Sequence, residues 1–320
     1  MVKKKEKSSK VTLRSLAAEL GVCPATVMRA LSNHPNVTQG IRRKVVTLAM
    51  KRNYQLPEHH AKQVAIVVPG GSFDGYTGQI LNALSAELSS RQISFEIIAV
   101  NNIASLHEHT CSGVISTVWE AGLEKFWPTE HSLPLVVLNA MPNFREGIYQ
   151  VCSDEKQGIR MAMEYLLAAG KRKIAMVSTP LQKNSAACER VEYFHEFCRE
   201  HQLSESFHEE HTVDNSLEKI AAVIAARRPE AVFAVSETYG FPLLHYLQNC
   251  GIDIPGEISM ISLEMPLYSA YTYPPITTIG QNFPMLAFHA VETLIQRINQ
   301  QSCKCKITVP YTFNERKSVR

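Results

Sequence analysis

From Val64 onward, short apolar runs alternate with longer amphipathic ones, and this alternation limits the possible folds more than any other feature. "VAIVVP", "FEIIAV", "GVIST", "LVVLN", "KIAMVS", "AVFAVS" and "ISMISL" read as strands. Between them, "GQILNALSAELSSR", "KQGIRMAMEYLLAAG", "ERVEYFHEFCREH" and "LEKIAAVIAARR" carry helical periodicity. Strands that are apolar on both faces and alternate with helices imply parallel sheets covered on both sides. The pattern runs twice, so the expected architecture is two doubly wound lobes with a cleft at the carboxyl ends of their strands. The 320 residues suffice for two or three compact units with a substantial core. No run reaches the ~18 apolar residues of a membrane span, and no membrane partner is expected.

Charge separates the first residues from the rest. Residues 1–63 hold thirteen Lys and Arg against Glu6, Glu19 and Glu58, although the whole chain carries only +3. A basic head on an acidic body points to one module that faces phosphate and another that faces something else. The opening "MVKKKEKSSK" leads into no apolar core, so it does not read as a secretory signal. Eight cysteines lack any C-x-x-C pair, and Cys303 with Cys305 offers two ligands where a structural zinc site needs four. Reduced thiols in a cytoplasmic protein, with no metal and no cofactor, are the expectation.

Within the head, Leu13, Leu16, Ala17 and Leu20 recur at helical spacing after Thr12, a suitable N-cap. Gly21 ends that helix, and Pro24 suits the first turn of the next, whose stripe is Val27, Ala30 and Leu31. Thr38 precedes a third pattern, with Ile41, Val45, Leu48 and Ala49 on one face. Three short helices with a tight glycine turn between the first two make a helix-turn-helix unit.

"VTLRSLAAELGVCPATVMRALSNHPNVTQGIRRKVVTLAMKRNY" resembles the headpiece of the lactose/galactose repressor (LacI/GalR) family. The likeness lies in the opening V-T-L, the A-x-x-x-G-V turn, T-V-x-R-A-L, the N-x-x-x-V-T step and the closing N-Y. It implies that the second helix enters the major groove, with Arg29 at a base- or phosphate-contacting position. Thr12, Thr26, Asn33 and Thr38 would hold phosphates. Pro24, Ala25 and Ser32 complete the DNA-binding set, and Ala25 is able to touch a thymine methyl. Cys23 stands where the family usually has Ser or Thr. After Tyr54 the sequence departs further: Pro57 comes one residue late, and "AKQV" replaces the hinge signature. Residues 58–63 therefore read as a short, atypical linker.

The resemblance continues through "VCSDEKQGIRMAMEYLLAAGKRKIAMVS", "GIDIPGEISMISLE" and "PPITTIGQNFPMLAFHAVETLIQRI". It implies an all-α helix-turn-helix headpiece over residues 1–57 and an α/β, type I periplasmic-binding-protein-like body over 64–320. One lobe would comprise about 64–152 and 282–300, the other about 153–281, and a C-terminal strand about 306–314. The implied effector residues are Phe73, Tyr76, Arg190, Ser236, Glu237, Glu264 and Gln281. Arg190 would donate to sugar hydroxyls or to an anionic effector, and Glu264 would accept from the ligand.

Catalysis finds little support in the residues. "HEEH" lacks the full-turn spacing of a zinc protease helix, "PGGSFDG" lacks the Gly-Lys-Ser/Thr of a phosphate loop, and no G-x-S-x-G elbow occurs. The expected protein is thus not an enzyme. It is a cytoplasmic homodimeric transcription regulator of double-stranded operator DNA, controlled by a small sugar-like effector. The alternative is a cytoplasmic sugar-binding sensor with weak or non-specific DNA binding.

Overall fold

The computed structural model describes residues 11–31, 37–52, 54, 63–71, 73–106, 111–127, 133–138, 148–181, 185–266 and 268–320. Ser32, Asn33 and all of the linker except Gln63 lie outside them. In the head, α1 (Leu13–Leu20) opens on a reciprocal capping box. The Ser15 N–H donates to Thr12 Oγ1 at 3.2 Å and the Thr12 N–H to Ser15 Oγ at 2.9 Å. Gly21 closes the helix at φ 65°, a left-handed conformation that glycine adopts without steric cost. Helices α2 (Pro24–Leu31) and α3 (Gln39–Lys51) follow. Leu16, Ala17, Val27, Ala30, Leu31, Val37, Val45 and Ala49 bury together as the head's own core. Ile41, expected on the inner face of α3, is instead exposed, because Val37 from the preceding loop is buried in this core.

The body contains two six-stranded sheets. The first lobe begins with β1 (Gln63–Val68), α4 (Gly75–Ser90), β2 (Phe95–Ala99) and a 3-10 segment over Val100–Ser105. It continues through β3 (Cys111–Ser116), α5 (Ala121–Phe126), β4 (Leu135–Leu138) and β5 (Ile148–Ser153). The chain then crosses into the second lobe through α6 (Glu155–Ala168), β6 (Ile174–Ser178), α7 (Ala186–Glu200), β7 (Phe207–Glu210) and α8 (Leu217–Arg227). After β8 (Ala231–Ala234), α9 (Gly240–Asn249), β9 (Ser259–Leu263) and β10 (Thr277–Gly280) it returns through α10 (Phe283–Ile298). Helix α10 packs on α4 and on β3, β4 and β5. Two last strands, β11 (Lys306–Val309) and β12 (Thr312–Asn314), close the two sheets.

The sheet orders are β11-β5-β4-β3-β1-β2 and β12-β10-β9-β8-β6-β7, parallel throughout except for β12. Each sheet carries an apolar cluster on either face, built in part from the branched residues of β1, β4, β6 and β8. Burying such a side chain contributes about 1.5–3 kcal/mol, so the strands are held by both of their faces.

The C-terminal segment, expected as one strand over 306–314, is two strands in two sheets. Val309 pairs with Ser153 of β5 in the first lobe, and Thr312 pairs with Gly280 of β10 in the second. Pro310 lies between them and has no N–H to continue a ladder. The backbone therefore crosses between the lobes three times: after Ser153, after Gly280 and after Val309.

Candidate functional site

In the head, Pro24, Ala25 and Arg29 are exposed together on α2, and Thr12 and Thr38 are exposed beside helix starts. Pro24 is the first residue of α2, where a missing N–H costs nothing. Thr26 is half-buried and holds Cys23, whose Sγ lies 3.0 Å from Thr26 Oγ1. Hydrogen bonds from the Thr26 side chain and backbone keep the exposed Cys23 thiol below its ordinary pKa, with a smaller contribution from Arg29. The exposed face of α2 thus presents one guanidinium, one methyl and one thiol.

In the body, the strand ends that face the other lobe enclose a cavity of about 330 Å³. Five of the expected effector residues line it: Tyr76, Arg190, Ser236, Glu237 and Gln281. Their placement follows from the doubly wound topology. Tyr76 lies in the first turn of α4, Ser236 and Glu237 follow β8, and Gln281 follows β10 at the second crossing. Thr179 and Pro180 after β6, and Ser185 to Ala187 at the start of α7, complete the wall. Ser185 caps α7 by accepting from the Cys188 N–H. A serine ahead of a helical run with Glu189 in its first turn was a readable N-cap signal that a search for ligand-binding side chains passes over.

Arg190 is not the free ligand clamp its position suggests. Its Nε donates to Glu155 Oε2 at 2.7 Å and its Nη2 to Glu155 Oε1 at 3.2 Å. Nη2 also donates to the Tyr311 hydroxyl, and Nη1 to the Val235 carbonyl. The pair is buried, with 8% and 6% of the two side chains exposed. Burial works against the guanidinium's charge, but the adjacent Glu155 carboxylate outweighs it and holds the Arg190 pKa well above its ordinary value. The Tyr311 hydroxyl donates to Glu155 Oε2 at 2.8 Å, which ties the third crossing to the same pair.

Gln281 bridges the lobes. Ser153 Oγ donates to its Oε1 at 2.9 Å, and its Nε2 donates to Glu237 Oε1 at 2.9 Å. Tyr76 is pushed above its usual phenol pKa by burial and by Glu237, so it remains a neutral donor over the whole working pH range. Phe73 and Glu264 are not on this wall. Phe73 is 47% exposed in the loop before α4. Glu264, at the end of β9, binds Arg316 at 2.9 Å and accepts from Thr278 and Asn314, so its charge serves the C-terminal segment. Glu155, Ser153 and Tyr311, which orient the wall, emerge only from the crossings; the sequence marked them merely as part of "VCSDE" and "VPYTF".

The two histidines of "HEEH" do not converge. His208 bonds Ser178 Oγ at 2.8 Å and His211 bonds the Tyr239 hydroxyl at 2.8 Å. Among the described residues, no group of three or more His, Cys, Asp or Glu is placed to hold a metal ion. Nor is any helix there long and apolar enough to cross a membrane.

Comparison with known proteins agrees with this geometry. The periplasmic binding protein-like domain family matches residues 163–319. The ribose operon repressor of Lactococcus lactis is 22% identical over 330 residues, which cover 97% of this chain and 98% of the repressor. The lac repressor dimer bound to operator and an anti-inducer superposes with a TM-score of 0.71 at 21% identity, covering 97% of this chain and 99% of the repressor chain. A complex of the regulator CelR with cellobiose gives a TM-score of 0.68 at 20% identity, covering 96% and 99%. At these identities the structural likeness shows the fold, while the repressor relatives match the chain from head to body. With the headpiece motifs and the two-lobed body both in place, the chain is similar over nearly its whole length to transcriptional repressors of the lactose/galactose repressor (LacI/GalR) type.

Proposed function

We propose that the chain binds double-stranded operator DNA as a homodimer in the cytoplasm, with its affinity set by a small sugar-like molecule in the interlobe cavity. One observation carries the reading: a helix-turn-helix head with an exposed Arg29 shares a chain with a two-lobed body whose cavity is lined by Gln281 of the second crossing and by Arg190, which is bonded to Glu155 and Tyr311 at the other two. A ligand that bridges Gln281 and Glu237 on one side and Tyr76 on the other favours one lobe arrangement, and two heads on one dimer respond to it. Asn33, Thr12, Thr26 and Thr38 are assigned to phosphates, Arg29 to a guanine edge and Ala25 to a thymine methyl, with Pro24 and Ser32 completing the DNA-binding set. The second lobe exposes Phe241, Tyr268, Tyr271 and Tyr273, apolar side chains that a partner copy would cover. The names of the relatives supply the effector class, since they include a ribose operon repressor and a cellobiose complex.

Selection of random duplexes by the full chain is the test. We expect enrichment of a roughly palindromic sequence, from two heads related by a two-fold axis. Arg29→Ala should then cost about 1–3 kcal/mol and relax preference at one position of each half-site. Failure to enrich any sequence would leave the sensor with non-specific DNA binding as the better description.

A further inference from the structure

The charges around the cavity do not cancel. Arg190, the only cationic side chain lining it among the described residues, is bound through two nitrogens by Glu155. Glu237, 8% exposed, lies within the field of Arg190 but makes no ion pair with it: its Oε1 receives a neutral amide N–H from Gln281. Ser153 fixes that amide by donating to its oxygen, so the NH2 end is the one that faces Glu237. Two buried carboxylates therefore share one guanidinium. Glu189, half-buried on α7 one residue before Arg190, does not line the cavity, but its carboxyl is raised by burial and by Glu155, so acid also crowds the Glu155 side of the guanidinium. Lys306, the further cation that acts on Glu189, is exposed on β11 and does not line the cavity.

A buried carboxylate whose only nearby counter-charge is ion-paired to another acid is costly, and a ligand that supplies a cation of its own recovers part of that cost on binding. The rest of the wall suits hydroxyl groups. Ser236 and Tyr76 carry hydroxyls, and Arg190 Nη1 retains one N–H beyond its bond to Val235. An acid or a phosphate ester would meet Glu237 with like charge, and Arg190 has no fork left to compensate it.

We propose that the cavity takes an amine-bearing polyhydroxylated molecule whose protonated nitrogen sits on Glu237, and that it rejects acids and phosphate esters of similar size. The inference rests on the reading of this cavity as the effector site. The test is the thermal midpoint of the full chain in an amine-free buffer. The amine probes are Tris, glucosamine, galactosamine and mannosamine. Their neutral counterparts are pentaerythritol, glucose, galactose and mannose, and the anions are glucuronate and glucose 6-phosphate. The amines should stabilise saturably at concentrations at least about tenfold lower than the neutral counterparts, with no shift from the anions. Glu237→Gln keeps the acceptor for Gln281 but should erase the amine advantage, while its own unliganded midpoint rises. The proposal is overturned if no amine stabilises, if a neutral or anionic counterpart binds as tightly, or if Glu237→Gln retains the preference. A neutral or anionic stabiliser that also changed operator affinity would overturn this inference alone. Operator affinity indifferent to every stabilising molecule would instead remove the regulator reading.

Discussion

Arg190 was legible as a cavity residue from the sequence, but its partners were not. The "ERVEYF" motif places it on the right face of α7, while Glu155 stands 35 residues earlier and Tyr311 121 residues later. Only the crossings bring the three together. Four of the five N–H groups of the guanidinium are thereby committed within the protein, so its first task is to hold the second lobe to two crossings. Arg190→Ala should therefore do more than weaken ligand binding. It leaves Glu155 buried and unpaired, a loss of about 3–5 kcal/mol. Urea unfolding of the ligand-free protein checks this, and a loss below about 1 kcal/mol would mean that the pair is not structural. Arg190→Lys should not restore the difference, because an ammonium cannot reproduce the planar fork. Glu264 shows the converse: its position at the end of β9 was readable, but Arg316 claims its carboxylate.

At the scale of elements, those with strong local signals were readable and those set by distant partners were not. Thr12, Gly21 and Pro24 mark the ends of α1 and the start of α2 through capping and fixed φ, with no reference to the rest of the chain. The apolar runs that became β1, β6, β8 and β9 are central in their sheets and buried throughout. In contrast, β7 is the polar edge segment "FHEE", held by its pairing to β6, and nothing local distinguishes it from a loop. The split between β11 and β12 depends on which sheet offers an open edge on each side of Pro310. Tyr311 lies in that split with its ring against α6. A Cβ at Gly158 would come within 2.6 Å of the ring. The ring is fixed by Glu155 and Arg190, and the Tyr311 N–H by Gln157 Oε1 at 2.9 Å, so it cannot yield. Gly158→Ala should thus be a net loss: overpacking costs about 1–3 kcal/mol against roughly 1 kcal/mol returned by helix propensity. A raised urea midpoint would show that the third crossing moves freely.

For the molecule as a whole, the charge division matches the division of labour. The basic excess falls within residues 1–63, the stretch that carries the helix-turn-helix head, and the acidic excess falls in the stretch that forms the body and its cavity. The hydrogen bonds that fix the cavity wall are also those that hold the crossings: Ser153 and Glu155 at the first, Gln281 at the second and Tyr311 at the third. A ligand on Glu237, Gln281 and Tyr76, as proposed, would therefore act on a wall that is hydrogen-bonded to the crossings between the lobes. Cavity and head would thus be linked, and linkage is reciprocal. The direct measurement is the affinity of the full chain for its selected operator, with and without a saturating concentration of a molecule that stabilises the body. A change of about 5–150-fold is expected, matched by an equal change in ligand affinity when operator is bound. Operator affinity that stays the same at saturating ligand would contradict it.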